Sequence, residues 1–217
     1  MLPFTREQFF GVFADYNAAV WPAQVAAYLF GLTVVLALLR PSPLGRRFVA
    51  GVLAAMWVWT GVAYHAVFFA RINPIAFGFG ALFVGQGVLF LVAGVARRRL
   101  VFGQPPGFTA VLGWVLVAYS MLLYPLLGQW SGHGYPAMPM FGITPCPVTL
   151  FTFGALLLTS ASVPRWLLII PLAWSLVGGS AAFMLGVPQD WPLLFSGLTI
   201  VLLILRDRRR TGAHAAA

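Results

Sequence analysis

An all-α polytopic membrane helical bundle of about seven transmembrane helices, preceded by a short amphipathic interfacial helix, is the fold this sequence predicts. Three observations predict it. Seven apolar runs of near-bilayer length fill the chain almost end to end. Hydrophobic residues make up 61% and charged residues only 8% of it. The mean hydropathy is +0.92. An ordinary soluble domain carries about 25% charged residues, so this chain is composed to fold mostly in lipid.

The first element is the amphipathic segment 1–19. Thr5 with Gln8 fits a capping box, after which Phe9, Phe10, Phe13 and Tyr16 recur on one helical side and Glu7, Gly11 and Asp15 on the other. Such a helix lies in the outer interface. Either it plugs the outer end of the bundle, or it is a lid whose Asp15 and Asn17 face a cavity.

A helix needs roughly 20 apolar residues to cross about 30 Å of hydrocarbon. On that measure spans fall near 20–39, 48–70, 75–96, 108–127, 146–162, 166–185 and 191–205, and a basic tail occupies 206–217. Trp21-Pro22 opens the first span, with proline in the first turn and tryptophan at the interface, and Arg40-Pro41-Ser42-Pro43 stops it. The fifth and seventh are short. In the third, Gly78, Gly80, Gly85 and Gly87 give two overlapping seven-residue spacings that let a neighbouring helix approach closely.

Arginines set the expected orientation. With seven spans, Arg40, Arg46, Arg47, Arg97, Arg98, Arg99, Arg165, Arg206, Arg208, Arg209 and Arg210 share one side, leaving Arg6 and Arg71 on the other. Eleven against two places the N-terminus outside and the C-terminus in the cytoplasm of a bacterial inner membrane. The net charge of +9 sits in short clusters beside spans, facing anionic lipid, and does not point to nucleic acid.

Several chemistries are excluded. The first 19 residues lack a signal-peptide pattern. With no lysine in the chain there is no retinal Schiff base, and the single cysteine allows no internal disulfide and no Cys-x-x-Cys pair. No phosphate-binding glycine loop occurs, and no cofactor is expected.

Candidate binding residues collect toward the outer face. His65 lies about 8 Å below the outer end of its span at 1.5 Å per residue. An ionisable group at that depth turns inward to a partner or water. Asp15 and Asp190 are available to pair with it or with Arg71. Gln86, mid-span, needs a hydrogen-bond partner and serves either as interhelical glue or as a solute contact. In Gly142-Ile143-Thr144-Pro145-Cys146-Pro147 the prolines are expected to hold helix formation off until after Cys146 and place it at the outer mouth, either as a small buried residue of a structural re-entrant turn, as a thiol for metal or thiol chemistry, or as part of a substrate-lining backbone break. Cys146, His133 and His65 are the candidate soft-metal ligands, without a recognisable ligand spacing.

The segments Pro3-Phe4-Thr5-x-Glu7-x-Phe9-Phe10, Tyr16-Asn17 with Trp21-Pro22-x-Gln24, Tyr64-His65-x-x-Phe68-Phe69 with Ile72-Asn73-Pro74, and Gly142-x-Thr144-Pro145-Cys146-Pro147-x-Thr149 resemble an uncharacterised family of bacterial multispanning integral membrane proteins, a domain of unknown function. The resemblance spans nearly the whole chain and implies multispanning topology, with no activity or cofactor attached.

Two function classes follow from the residues. One is a small-solute or ion transporter with an outward cavity bounded by Asp15, Asn17, His65, Arg71, Gln86, His133 and Cys146, in which Asp15 or His65 carries a coupling proton. The other is a non-transporting sensor or accessory subunit that binds a ligand, a soft metal or a protein partner at its outer face. The bilayer is the expected partner, and a homo-oligomer or a membrane partner stays open. Enzymatic chemistry has only Cys146 with His133 to begin from.

Overall fold

The computed structural model describes residues 2–103, 105 and 107–214, and from residue 204 onward the backbone alone. Eight helices form it: α1 Arg6–Ala19, α2 Trp21–Leu39, α3 Pro43–Arg71, α4 Ala76–Ala96, α5 Phe108–Trp130, α6 Pro145–Leu157, α7 Arg165–Met184 and α8 Trp191–His214. Among the described residues there is no strand, only a bridge between Phe102 and Thr159.

Local chemistry sets the helix starts. The capping box of α1 forms as expected: the Gln8 N–H donates to Thr5 Oγ1 at 3.2 Å, and the Thr5 N–H donates to Gln8 Oε1 at 2.8 Å. α1 buries Phe9, Phe10, Val12, Phe13 and Tyr16 and exposes Glu7, Gly11 and Asp15. Ser42 caps α3 by accepting the Gly45 N–H, with Pro43 in the first turn.

Five helices, α2, α3, α4, α5 and α7, are long and apolar enough to cross a membrane. The expected count was seven. α6 has thirteen residues, every one buried, and is about 20 Å long. It ends at Leu157, not near 162, because Leu158 leaves helical geometry and the chain turns into the Phe102–Thr159 bridge. α8 has 24 residues but continues into the arginine-rich run. The basic tail expected at 206–217 is thus helical backbone as far as His214, and its last three residues lie outside those described.

The helices alternate in direction around α6, which packs against α3, α5, α7 and α8. One end of the bundle gathers α1, the 131–144 loop and the turn before α8. Asn17 bonds the loop there, and the Tyr119 hydroxyl donates to the Gln189 carbonyl at 2.9 Å. The other end carries Arg46, Arg98, Arg99 and Arg165: Arg46 Nε donates to the Phe102 carbonyl at 3.1 Å, and the Ser160 N–H bonds the Val101 carbonyl at 2.8 Å. Only 28% of the apolar windows of α2 and α5 is buried. Their remaining leucine, valine and phenylalanine side chains face outward, which suits hydrocarbon as solvent.

Glycine brings the backbones together at the helix crossings. A Cβ on Gly61 would lie 2.7 Å from the Gly80 carbonyl oxygen, and one on Gly80 would lie 2.7 Å from that of Gly61. Gly87 meets the Ala54 carbonyl in the same way, while Gly78 and Gly85 face open space. One of the two seven-residue spacings is therefore a packing seam and the other is not.

Three helices contain a widened turn, at Thr60–Phe68 in α3, Leu91–Ala96 in α4 and Tyr119–Leu123 in α5. The first carries Tyr64 and His65, adjacent residues that are both buried. Widened turns of this kind recur at functional sites.

Candidate functional site

A cavity of about 180 Å³ lies at the α1 end of the bundle. Phe9 and Phe13 of α1 line it together with Tyr64 and Phe69 of α3, Phe79 of α4 and Trp174 of α7. Its polar lining is made by Cys146 at the start of α6 and Asp190 in the turn before α8, with Asn73 and Ser180. Phe13 stacks on Tyr64 at 5.2 Å, Tyr64 stacks on Phe69 at 5.7 Å, and Phe79 meets Trp174 edge-on at 5.4 Å. The larger groove between α2 and α3 has apolar walls apart from backbone and the Trp59 indole, so it offers little for recognition.

Cys146 is the small buried residue of one expectation, but the helix starts before it and not after. Pro145-Cys146-Pro147 forms the first turn of α6 itself, with Thr144 as its cap. Prolines are tolerated there because first-turn N–H groups have no helical partner. The thiol is accordingly turned inward, 8% exposed, and not displayed on the surface. Gly142, at φ +75° and with Ala27 where a side chain would go, makes the bend that allows this.

Asp190 is 1% exposed. The Tyr124 hydroxyl donates to its Oδ1 at 2.6 Å, and the Cys146 thiol is its second hydrogen-bonding neighbour. Burial pushes its carboxyl up to about 7, although both donors pull the other way. No cation contributes to that balance. The expected pairing of Asp190 with Arg71 or His65 does not form: Arg71 is exposed, donates to Val67 of its own helix and lies over the Phe68 ring at 4.3 Å.

The raised value has a measurable consequence. Between about 4 and about 7 the folded chain binds more protons than the unfolded one, so stability should fall as pH rises through that window. The slope should approach 1.4 kcal/mol per pH unit, roughly one proton. Asp190→Asn should flatten it, as read from detergent melting curves taken between about pH 4.5 and about pH 8.

The other expected residues separate by role. His65 is fully buried one layer behind the cavity, edge-on to Trp174 at 5.1 Å, and neither ring nitrogen has a hydrogen-bond partner. Asn17 faces no cavity: it donates to the Pro136 carbonyl at 2.6 Å and the Met138 carbonyl at 2.7 Å and accepts from Gln24 at 3.1 Å. Asp15 is exposed on the far side of α1. Gln86 is interhelical glue, donating to the Leu167 carbonyl at 3.0 Å and leaving its Oε1 without a partner. His133 stacks on Phe10 at 3.9 Å and accepts from Arg6 at 3.0 Å. Partial burial, then the guanidinium, lowers its pKa and keeps it neutral for that role.

Three or more metal-ligating side chains do not come together among the described residues, so Cys146, His133 and His65 do not form a shared site. Tyr124 and Trp174 entered no sequence expectation, and Asp190 entered only as a charge partner. The available signal was the position of Asp190, an acid abutting a final apolar run.

The family of unknown function DUF6064 matches residues 6–215. The chain belongs to this family. No curated protein and no solved structure matches it. Membership in DUF6064 brings no activity with it, so function has to be argued from the cavity.

Proposed function

We propose that the chain is a seven-span inner-membrane permease for a small solute, N-terminus outside and C-terminus cytoplasmic, with the α1-end cavity as its outward binding site. The cavity carries the reading. Its walls come from α1, α3, α4, α6 and α7, so a rocking of the bundle reshapes it, and Cys146 and Asp190, which are hydrogen-bonding neighbours, give it a polar pair. Support for seven crossings comes from the alternating helix directions, with α6 and α8 as the two crossings beyond the five long helices. Support for sidedness comes from the eleven arginines at the end opposite α1. Asp190 replaces Asp15 and His65 as the group that carries a proton, and Gln86 has no part in solute contact.

Cys146 tests this without knowledge of the solute, because it is the only thiol. A small membrane-impermeant methanethiosulfonate should modify it in intact cells, and a polyethylene-glycol maleimide of about 5 kDa should not, since about 180 Å³ admits only small molecules. A permease exposes its site alternately, so inverted vesicles should also label. Labelling from outside alone would make the protein a receptor or sensor. Labelling only in inverted vesicles would reverse the topology, and labelling only after denaturation would remove the cavity as a solute site.

A further inference from the structure

We propose that this cavity takes a small organic cation, an ammonium with apolar substituents, held between the aromatic walls and the Asp190 carboxylate. The inference rests on the reading of the cavity as a solute site and names the class of solute.

A buried carboxylate without a counter-charge is expensive, and a protein meets the expense by pairing it, coordinating an ion or keeping it protonated. Neither nearby arginine serves Asp190. Arg6 is held by His133 and by the face of Phe10 at 5.7 Å, and Arg71 lies outside over Phe68. The groups that face Asp190 are Tyr124 and Cys146 in contact and Tyr119 and Tyr64 nearby, all uncharged. Without a ligand, protonation is therefore the available answer.

The remaining walls favour a cation over the other classes. Aromatic faces attract an ammonium that has shed its water, the more so away from bulk solvent. An anion would face Asp190 with no compensating cation in the wall. A neutral solute could donate a hydrogen bond to the carboxylate but would leave its charge uncompensated. An inorganic ion that needs several protein ligands lacks them among the described residues.

Binding then exchanges charge for charge. The Asp190 carboxyl gives up its proton to solvent, the ammonium takes its place, and the net charge of the site is unchanged. In a permease that exchange couples an organic cation to a counter-moving proton.

Choline and its neutral isostere 3,3-dimethylbutan-1-ol are the probes. On purified full-length protein at about pH 8, choline should slow modification of Cys146 by methyl methanethiosulfonate, with the isostere at least about tenfold weaker, the size of one desolvated cation–π contact. At about pH 6, choline should also release close to one proton per chain into weak buffer. Asp190→Asn should abolish the release and weaken the preference to what the aromatic walls alone supply, and Asp190→Glu should retain the release. Equal protection by the two probes would overturn the cation assignment and leave a solute cavity standing. No protection by either, with the thiol still reactive, would overturn the assignment and the solute site together. Preference without proton release would overturn the exchange at Asp190.

Discussion

Gly61→Ala should destabilise the bundle by about 2–3 kcal/mol, although alanine is the better helix former by about 1 kcal/mol. The added methyl lies 2.7 Å from the Gly80 carbonyl oxygen and 3.0 Å from both the Phe83 Cβ and the Val84 nitrogen. Two of those atoms are backbone, so relief requires α3 and α4 to part along the seam that carries Tyr64, His65 and Phe83. In a membrane that separation is not resisted by the hydrophobic effect, since lipid replaces the lost contact, and close packing is what holds the pair. Gly78→Ala is the matched control. Open space surrounds Gly78, so the same methyl should be neutral or slightly stabilising there. Reversible unfolding in mixed detergent reads both, and equal effects at the two positions would refute the seam.

Asn17→Ala should loosen α1 from the outer loop and leave the rest of the bundle folded. The amide makes two short bonds, a part-buried one to the Pro136 carbonyl and a buried one to the Met138 carbonyl, and a buried one with Gln24. Truncation strands those partners at about 2 kcal/mol or more. That difference raises the population in which α1 is lifted about thirtyfold. Phe9 and Phe13 leave the cavity wall with α1, so Cys146 should react faster by a similar factor. A melting transition of the core that stays in place would identify the change as local opening. Arg6→Ala, which removes the hydrogen bond to His133 and the contact with the Phe10 face but none of the Asn17 bonds, should produce a smaller acceleration. An unchanged rate in Asn17→Ala would mean that solute reaches the cavity by a route other than past α1.

The parts of this molecule legible in its sequence are those fixed over short distances. The all-helical build writes itself into long apolar runs, five of which are helices long and apolar enough to cross a membrane. The capping box at Thr5 and the aromatic face of α1 depend only on residues three and four apart. Pro145-Cys146-Pro147 shows where local reading failed: a helix breaker and a first-turn proline are the same residue, and only the surrounding chain decides between them. The cavity was beyond reach for a different reason. Tyr124 meets Asp190 across 66 positions and Gln86 meets Leu167 across 81, so neither contact has a spacing to betray it. Asn17 and Cys146 looked like ligands because they are polar and near a mouth, but burial separated a clamp from a cavity wall.

The complete enclosure of α6 has a consequence for how the protein is made. A segment of thirteen residues surrounded on all sides by α3, α5, α7 and α8 has no lipid of its own, and at about 20 Å it is too short to rest stably in a bilayer by itself. Two of its neighbours, α7 and α8, have not yet been synthesised when it leaves the ribosome. On the membrane reading proposed above, it waits, half-inserted or held at the insertion machinery, until the last two helices arrive to wall it in. Assembly of this bundle closes around its centre last, and a chain interrupted before Trp191 should be a substrate for membrane quality control in place of a smaller folded protein.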